Sequence, residues 1–408
     1  MILETAAQET IVPPASAIAG KTILCLATQA WNAHWTPVQQ VMLRLATTNR
    51  VVYVEPFHPF LSWFKGDNSV LRKDRDADHP QLREVAPNLT VYRPSYGYLP
   101  FNMRSKIAAR INSFLYGREL ARLLRTLGED DVVLWAFFAQ CQSVLNLPFY
   151  RVIYDCVDDW PSFFCDPREK AFVVAIDEQL CRRADIVFVG SDPLLRKKLP
   201  FQPRTFVVNH AADTAHFAKA MDPERVIPDD LASIPRPRLG FVGMIDTIRF
   251  DAELIWQLAE KTSANIVIVG GTMPGAERLL QPHPRIHWLG MRSVAQLPSY
   301  LRGMDVLLMP YTINEATRTI YPLKLYEYLA TGKPCVTTAI PAVEPLRDLM
   351  YVSDSHEQFL ANTLVALGEA DPALVADRTA YASTRTWEAH VARKLDLLQA
   401  ELKAHLAS

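Results

Sequence analysis

Short runs of apolar and β-branched residues alternate with stretches of helical spacing along the first half of the chain. The runs are too short for helices and are bounded by polar residues, which is typical of buried parallel strands. Longer stretches between them predict helices over 37–47, 103–127 and 169–183. The alternation predicts an α/β domain with a parallel sheet and helices on both of its faces. The predicted strands are 22–27, 51–55, 89–93, 132–137, 151–157, 186–190 and 205–209.

A proline-rich segment at 222–238, with few helix-forming residues, interrupts this pattern. We interpret it as a linker between two domains. The first domain is predicted at 21–221, after a lead-in at 1–20 without regular structure, and the second at 239–385. A terminal helix is predicted at 386–408. The second series of predicted strands is 239–244, 266–270, 286–289, 306–310, 335–338 and 350–353.

Length and composition agree with two globular domains. The chain has 408 residues, and domains typically hold roughly 100–200 residues. Ligands of two such sheets bind at the carboxyl ends of the strands, which predicts a site in a cleft between the domains. The formal net charge of -1 argues against nucleic-acid binding by bulk electrostatics.

Cysteine usage and the first residues predict a cytoplasmic protein. None of the six cysteines forms a pair or a Cys/His cluster with metal-binding spacing, which fits a reducing compartment. The opening MILETAAQET contains two Glu residues and no basic region, so it does not have the pattern of a secretory signal. No run of about 18 apolar residues predicts a membrane-spanning helix.

The segment 309–338 has the most informative polar pattern. A strand is predicted to end at Pro310, and a helix to begin near Pro322 and end at Gly332. Lys324 and Glu327 lie three residues apart and therefore share a helix face. A helix N-terminus with a lysine in its first turn can bind a diphosphate. A carboxylate one turn later can accept hydrogen bonds from both ribose hydroxyls. An ordinary amphipathic helix with a surface ion pair remains the alternative.

Three segments resemble the second domain of GT-B glycosyltransferases. PLKLYEYLATGKPCVTT is similar to their signature helix, in which P-x-K-x-x-E-x-x-A-x-G-x-P-V-V recurs. LGFVGMIDTIRFDAELIWQLA resembles the strand and phosphate loop that open that domain, and IVIVGGTMPG the strand and turn beside the base pocket. The resemblance implies two Rossmann-like, doubly wound parallel-sheet domains facing across a cleft. It also implies a nucleotide-sugar donor, with UDP as the default and GDP left open. The donor-site residues that it implies are Gly243, Arg249, Gly271, Thr319, Lys324 and Glu327.

The first predicted domain resembles a bacterial subgroup of the same enzymes. WNAHWTPVQQVMLRLATTNRVVYVEP and IYDCVDDWPSFF are similar to segments of glycosyltransferases of teichuronic-acid and exopolysaccharide biosynthesis. This resemblance implies an envelope glycan as product and a glycan or polyprenyl-linked acceptor. It also implies that the terminal helix crosses back to the first domain.

The sequence departs from the family pattern in two places. Thr319 stands where retaining members carry the first Glu of a Glu-x7-Glu pair, and Asn314, Glu315 or Arg318 of the same loop could replace it. In the first domain, ATQAWNAHW stands in place of a Gly-rich loop. Trp31 and Trp35 of that segment are candidates for stacking on the acceptor, with packing of the loop as an equal alternative.

The resemblance predicts a reaction without metal or other cofactor, the nucleotide-sugar being a co-substrate. Arg249, Lys324 and the helix dipole are expected to stabilise the leaving diphosphate in place of a metal ion. A retaining reaction needs no protein base and is the favoured prediction. An inverting reaction would need one. Asp158 is the preferred candidate, although it could instead cap a helix, and Asp155 and His210 are alternatives.

Residues 102–125 predict a basic amphipathic helix. Isoleucine, phenylalanine and leucine recur in it at helical spacing, and such a helix can lie on the anionic inner face of the plasma membrane. A core-packed helix with a solvated basic face is the alternative. Its basic residues are Arg104, Lys106, Arg110, Arg118, Arg122 and Arg125, against the single acidic residue Glu119.

Two other classes of function remain open at this stage. One is an epimerase or another enzyme built on the same two-domain scaffold. The other is a non-catalytic carbohydrate-binding subunit, which the missing first Glu would permit. A dehydrogenase is disfavoured because no G-x-G-x-x-G follows a predicted strand.

Overall fold

A computed structural model describes residues 18–33, 35–57, 81–95, 97–128, 131–279 and 281–407. The chain divides into two compact units. The first takes in the described residues up to Gly190, together with Leu194–Val208 and the chain from Glu388 onward. The second comprises Ser191–Pro193 and Asn209–Trp387.

The first unit is built on an eight-stranded sheet with strand order β3-β4-β2-β1-β5-β6-β7-β8. The central strand β1 is entirely buried and pairs in parallel with β2 on one side and β5 on the other. Only β3 runs antiparallel, against β4. The strands are Thr22–Leu26 (β1), Arg50–Val54 (β2), Leu82–Ala86 (β3), Leu89–Tyr92 (β4), Val132–Ala136 (β5), Arg151–Cys156 (β6), Ile186–Val189 (β7) and Thr205–Val207 (β8).

The edge strand β3 was not among the predicted strands. Its sequence LREVA is polar and none of its residues is fully buried, so it lacks the apolar run by which the other strands are recognised. A tight connection follows it, in which Asn88 adopts a left-handed conformation with φ 59°. Asparagine tolerates this conformation better than most residues.

Helices flank the sheet of the first unit, and polar caps set their ends. The longest begins at Ser105, whose side chain accepts a hydrogen bond from the Ala108 N–H, and ends at Gly128 in the left-handed conformation. Asp166 caps the next in the same way. The helices of this part of the chain are Pro37–Leu45 (α1), Lys106–Leu127 (α2), Pro167–Arg183 (α3) and Asp192–Lys198 (α4).

The terminal helix Trp387–Ala407 packs in the first unit from Glu388 onward. Val391, Leu395 and Leu398 join an apolar cluster with residues of β1, β2 and α1. Within this cluster the ammonium of Lys394 lies 2.5 Å from the carboxylate of Asp155, which also accepts a hydrogen bond from the Trp135 indole. Burial lowers the pKa of Lys394, and the charge of Asp155 opposes that shift. Asp155 is thus a buried structural partner of Lys394, which corrects its interpretation as a candidate base.

The second unit contains a six-stranded, fully parallel sheet with strand order β11-β10-β9-β12-β13-β14. Its strands are Arg238–Val242 (β9), Asn265–Val269 (β10), Ile286–Gly290 (β11), Val306–Met309 (β12), Cys335–Thr338 (β13) and Tyr351–Ser353 (β14). Its helices are Thr214–Ala218 (α5), Asp229–Ala232 (α6), Ala252–Lys261 (α7), Leu297–Arg302 (α8), Lys324–Leu329 (α9), His356–Leu367 (α10) and Pro372–Ser383 (α11), and Trp387–Ala407 is α12.

The segment predicted as the linker packs inside the second unit. Leu231 of α6 is fully buried and lies so close to Gly303 that a Cβ there would meet its side chain at 2.4 Å. The guanidinium of Arg238 donates to the main-chain oxygens of Ile234 and Ala232 and ties the segment to the start of β9. Apart from the short segment Ser191–Pro193, the chain instead passes from the first unit to the second at Val208–Asn209. The prolines of 222–238 therefore shape a packed connection and not a free linker.

No single helix in the described ranges is long and apolar enough to cross a membrane. The pair His356–Leu367 and Pro372–Ser383, bent by 110°, meets the requirements of length and composition only when taken together.

Candidate functional site

Two glycines meet at the carboxyl edge of the second sheet. Gly243 follows β9 and Gly270 follows the neighbouring strand β10, and their φ angles are 152° and 151°. The Gly243 N–H donates to the Val269 oxygen at 2.9 Å. A Cβ on Gly270 would lie 1.9 Å from the Gly243 oxygen, so a side chain does not fit there. This close approach of the two backbones requires a glycine at position 270.

Lys324 fills the space in front of Gly243. A Cβ on Gly243 would lie 2.3 Å from the Nζ of Lys324, and this Nζ lies 5.2 Å from the centre of the Phe241 ring. Among the described residues the ammonium has no hydrogen-bond or ion-pair partner. Burial lowers the pKa of Lys324 to about 8, while the carboxylates of Glu327 and Asp246 raise it and Arg249 lowers it. The ammonium is thus held at the strand edge without a counter-charge in direct contact.

Tyr328 fixes the helix that carries Lys324. Its hydroxyl accepts a hydrogen bond from the Val242 N–H at 2.8 Å and lies 3.3 Å from the Val242 oxygen. Val242 is the last residue of β9, directly before Gly243. The helix α9 is therefore docked on the end of β9 by a buried side chain.

Glu327 lies one helical turn after Lys324 and is also partly buried. Burial raises its pKa to about 7, and the charge of Lys324 opposes this rise. No ion pair joins the two side chains in the described structure, so neither charge is neutralised by direct contact. Two poorly solvated, opposite charges that are not joined in an ion pair are typical of a functional site.

Arg249 is positioned by Asp246, a residue that the sequence analysis did not single out. One carboxylate oxygen of Asp246 accepts from the N–H groups of Ile248 and Arg249, and the other lies 2.7 Å from the Arg249 Nε. Aspartate often accepts hydrogen bonds from main-chain N–H groups two or three residues later and so closes a turn. This local pattern in the sequence could have identified Asp246. Lys324 is within electrostatic range of both residues.

The loop that carries Thr319 is internally hydrogen-bonded. Thr319 is 4% exposed, its hydroxyl donates to the Ala316 oxygen, and its main-chain oxygen accepts from the Ser191 hydroxyl. The amide of Asn314 donates to the Ile248 oxygen. Thr319 therefore uses its hydroxyl proton and its main-chain oxygen inside the second unit, and its binding of the donor stays a prediction. Glu315 and Arg318 are the exposed polar side chains of this loop.

Gly271 borders an apolar part of the same strand edge. A Cβ there would approach the side chains of Met291 and Met244 at 3.0 and 3.3 Å. The indole of Trp288 donates to the oxygen of Gly270 at 2.7 Å. The structure thus brings Gly243, Gly271, Arg249, Lys324 and Glu327 together at the carboxyl ends of β9 and β10 and the start of α9.

The other candidate residues have different surroundings. Trp31 is buried and packs against Tyr53, with ring centres 5.2 Å apart. Of the two alternatives for Trp31, the structure therefore shows packing of the loop. Trp35 is 43% exposed and remains available. His210 belongs to the second unit, is buried, and its ring packs edge-on against Tyr321.

Asp158 follows β6 in the first unit and is partly exposed. It does not cap the short helical turn after it, because Asp159 occupies the cap position and its carboxylate pairs with Lys197 at 2.5 Å. Among the described residues no group of three or more His, Cys, Asp or Glu side chains could hold a metal ion.

Residues 236–369 match the family model described as "Glycosyl transferases group 1". A putative teichuronic acid biosynthesis glycosyltransferase, TuaH of Bacillus subtilis (strain 168), is 27% identical over 304 residues, which cover 68% of this chain and 76% of that protein.

Solved structures with the same fold cover nearly all of this chain. Sucrose-phosphate synthase from Thermosynechococcus elongatus has a TM-score of 0.66 at 15% identity, covering 94% of this chain and 100% of that chain. Anabaena Alr3699/HepE in complex with UDP and glucose has a TM-score of 0.58 at 14% identity, covering 95% and 100%. A third structure is described as "Trehalose-6-phosphate from E. coli bound with UDP-2-fluoro glucose". It has a TM-score of 0.65 at 12% identity, covering 93% of this chain and 99% of that chain. These likenesses confirm the predicted α/β fold as GT-B.

Proposed function

We propose that this chain, a glycosyltransferase with a group 1 domain at residues 236–369, uses its second unit to bind a UDP-sugar. The sugar then passes to a glycan or polyprenyl-linked acceptor. One observation carries the proposal: the Lys324 ammonium lies against the Gly243 backbone at a strand edge and has no counter-charge in contact among the described residues. A diphosphate would supply that charge.

The diphosphate is the part of the donor that fits this strand edge best. Lys324 offers a point charge and Arg249 a guanidinium that Asp246 already orients. An anion beside Lys324 would raise the pKa of its ammonium from about 8 and restore its full charge. As the sugar leaves, negative charge develops on the same phosphate, where Lys324 and Arg249 stabilise it. We propose that this reaction needs no metal ion and no cofactor besides the co-substrate.

Glu327 is proposed to bind the ribose. A carboxylate accepts hydrogen bonds from two neighbouring hydroxyls, and those bonds favour its ionised form. The pKa of Glu327, raised to about 7 by burial, would fall when the ribose hydroxyls replace the missing solvent. Lys324 and Glu327 on one helix turn would thus fix the diphosphate and the ribose of the same nucleotide.

The nucleotide and the pathway are supported by the relatives. Two of the similar structures hold UDP or a UDP-sugar analogue, which supports UDP over GDP. The related Bacillus subtilis protein is described as acting in teichuronic acid biosynthesis, which supports an envelope polysaccharide as the product. With a polyprenyl-linked acceptor, we propose that the enzyme acts in the cytoplasm, at the inner face of the plasma membrane.

We propose a retaining reaction, in which a phosphate oxygen of the leaving group takes the proton of the acceptor hydroxyl. The inverting alternative uses Asp158 as the base and is supported by its position just after β6, where its side chain is partly exposed and Asp159, not Asp158, takes the cap position. Asp158→Asn distinguishes the two, because loss of a general base costs roughly 10²–10⁴-fold in rate. A retaining enzyme would lose much less, and the anomeric configuration of the product, followed by NMR, gives an independent answer.

The donor site is tested by thermal-shift titration of the purified chain with UDP, GDP, ADP and dTDP. A ligand at 100 times its Kd adds ~2.7 kcal/mol to stability, which shifts the melting temperature visibly. We expect UDP to stabilise the wild type and Lys324→Ala to lose this effect. Lys261→Ala, an exposed lysine of the same unit, is the matched control. Failure of all four nucleotides to stabilise the wild type would exclude the proposed donor site.

A further inference from the structure

One surface of the first unit combines exposed apolar side chains with unpaired positive charges. It consists of the loop 99–105 and the solvent-facing side of α2 as far as residue 118, and we call it the 99–118 face. Phe101 is 61% exposed, Ile107 74% and Phe114 60%. We infer that the 99–118 face docks on an anionic lipid bilayer. Its exposed apolar residues are Leu99, Phe101, Ile107, Ile111, Phe114 and Leu115.

The apolar residues of this face are not needed to attach the helix to the first unit. The opposite side of α2 does so, through Asn112, Tyr116, Leu120 and Leu123, all of which are buried. Ile107, Ile111, Phe114 and Leu115 recur at helical spacing and form a second apolar stripe on the solvent side. A contiguous exposed stripe of this kind marks an interaction site.

The loop before the helix holds Phe101 outward in a strained backbone conformation. Phe101 has φ 63°, in the left-handed region that large side chains avoid. Its main-chain oxygen accepts from the N–H groups of Arg104 and Ser105, and both main-chain groups of Leu99 are bound by the Asn112 amide. An exposed, strained aromatic side chain that is over-determined by its surroundings points to a function at the loop tip.

Positive charge surrounds the apolar stripe. Lys106, Arg110 and Arg118 are exposed and have no carboxylate partner among the described residues. The Arg118 guanidinium lies 5.5 Å from the Phe114 ring centre. Arg104 is the exception, because it pairs with Glu169.

Glu119, the single acidic residue of 102–125, is hydrogen-bonded to residues outside the 99–118 face. Glu119 accepts hydrogen bonds from the Tyr92 hydroxyl and from the Ser95 N–H and hydroxyl. Burial raises the pKa of Glu119, but hydrogen bonds from Tyr98, Ser95 and Tyr92 together outweigh it, so the pKa lies below its ordinary value. The Glu119 carboxylate is therefore bound by Tyr92, Ser95 and Tyr98, and the 99–118 face remains positively charged.

Charge decides which occupant fits the face. Two copies of the face would bring lysines and arginines together, which disfavours a dimer through it. Nucleic acid would match the charge and leave Phe101, Ile107 and Phe114 exposed to water. An anionic bilayer matches both features, since headgroups bind the cations and the apolar side chains enter the interface. The inference deepens the proposed use of a lipid-linked acceptor and rests on it, although the test below needs no transfer activity.

The test is flotation of the full chain with vesicles of phosphatidylcholine containing about a third phosphatidylglycerol, compared with phosphatidylcholine alone. We expect binding to the anionic vesicles at low salt and its decline as salt is raised. Phe101→Ser/Ile107→Ser/Phe114→Ser and Lys106→Glu/Arg110→Glu should each weaken binding by about ten-fold or more.

Matched controls lie in the second unit. Val226→Ser/Leu364→Ser/Val365→Ser removes three apolar side chains that are 78%, 57% and 59% exposed. Lys261→Glu/Arg278→Glu reverses two exposed charges. Neither control should change vesicle binding, and all variants should keep their stabilisation by UDP, which separates this inference from the donor site.

The inference is overturned if the wild type does not float with anionic vesicles at low salt, or if the control triple variant loses as much binding as the test triple variant. It is also overturned if the test triple variant changes only the sedimentation coefficient, because the face would then join two copies of the chain. Equal binding to neutral and anionic vesicles would contradict the role of the cations.

Discussion

The backbone of Gly243 and the ammonium of Lys324 occupy adjoining space, since a Cβ on Gly243 would lie 2.3 Å from the Lys324 Nζ. Gly243→Ala should therefore displace Lys324 and also strain the backbone at φ 152°. We expect a loss of ~1–3 kcal/mol in the free energy of unfolding and loss of UDP binding. Urea unfolding and calorimetric titration measure the two effects.

Gly368→Ala is the control for this substitution, because Gly368 has an ordinary φ of -94° and a Cβ there meets nothing closer than 3.5 Å. It should preserve UDP binding. Unchanged UDP affinity in Gly243→Ala would show that the diphosphate lies elsewhere.

UDP affinity should depend on pH through Lys324 and Glu327. Burial lowers the pKa of Lys324 to about 8 and raises that of Glu327 to about 7. Binding favours the protonated ammonium and the ionised carboxylate, so affinity should be highest between about pH 7 and 8 and fall by up to about ten-fold per unit at higher pH.

Lys324→Arg keeps its charge at all these pH values, so the alkaline fall should disappear in this variant while Glu327→Gln retains it. In the ligand-free protein, folding stability changes with pH in the opposite direction to UDP affinity. Between about pH 8 and pH 10.5, the ordinary pKa of lysine, the unfolded chain binds more protons at Lys324 than the folded chain. The stability contributed by Lys324 therefore rises with pH in this range. An alkaline fall of equal slope in Lys324→Arg would contradict the assignment.

Asp246 should matter for the position of Arg249. Asp246→Ala removes the acceptor of two main-chain N–H groups and of the Arg249 Nε, and should cost ~1 kcal/mol of stability and several-fold in UDP affinity. Asp246→Asn retains an acceptor oxygen and removes a negative charge near the proposed diphosphate position. Its stability should therefore be close to wild type and its UDP affinity at least as high. Thermal unfolding and calorimetry measure both, and an Ala variant with wild-type affinity would refute this positioning role.

The buried pair of Lys394 and Asp155 should contribute to the stability of the first unit. Lys394→Met leaves the Asp155 carboxylate buried without its partner and should cost ~3–5 kcal/mol. Adding Asp155→Asn removes that charge and keeps an acceptor for the Trp135 indole, so most of the loss should be recovered. Denaturant unfolding of the two variants is the measurement, and equal stability of both would contradict the buried-charge argument.

Local patterns in the sequence were sufficient for much of the second unit. The apolar runs predicted its strands, and the segment from Pro322 to Gly332 predicted a helix that carries Lys324 and Glu327 on one face. These features depend on residues within one or two turns of each other. The family resemblance then indicated the GT-B fold, which the similar structures confirm.

Other features required the tertiary structure. The Lys394–Asp155 pair joins residues 239 positions apart. No pattern in the sequence indicated that the hydroxyl of Thr319 donates to Ala316 or that its main-chain oxygen accepts from Ser191. The prolines of 222–238 suggested a linker, yet Leu231 is buried in the second unit.

The sequence by itself determined most of the strand and helix pattern and the residue types at the carboxyl edge of the second sheet, because periodicity and helix ends are set by neighbouring residues. Only the tertiary structure decided which charges are paired, which aromatic side chains are buried, and that Phe101, Ile107 and Phe114 face solvent. Burial and ion pairing depend on which distant segments pack together, and no local pattern encodes that choice.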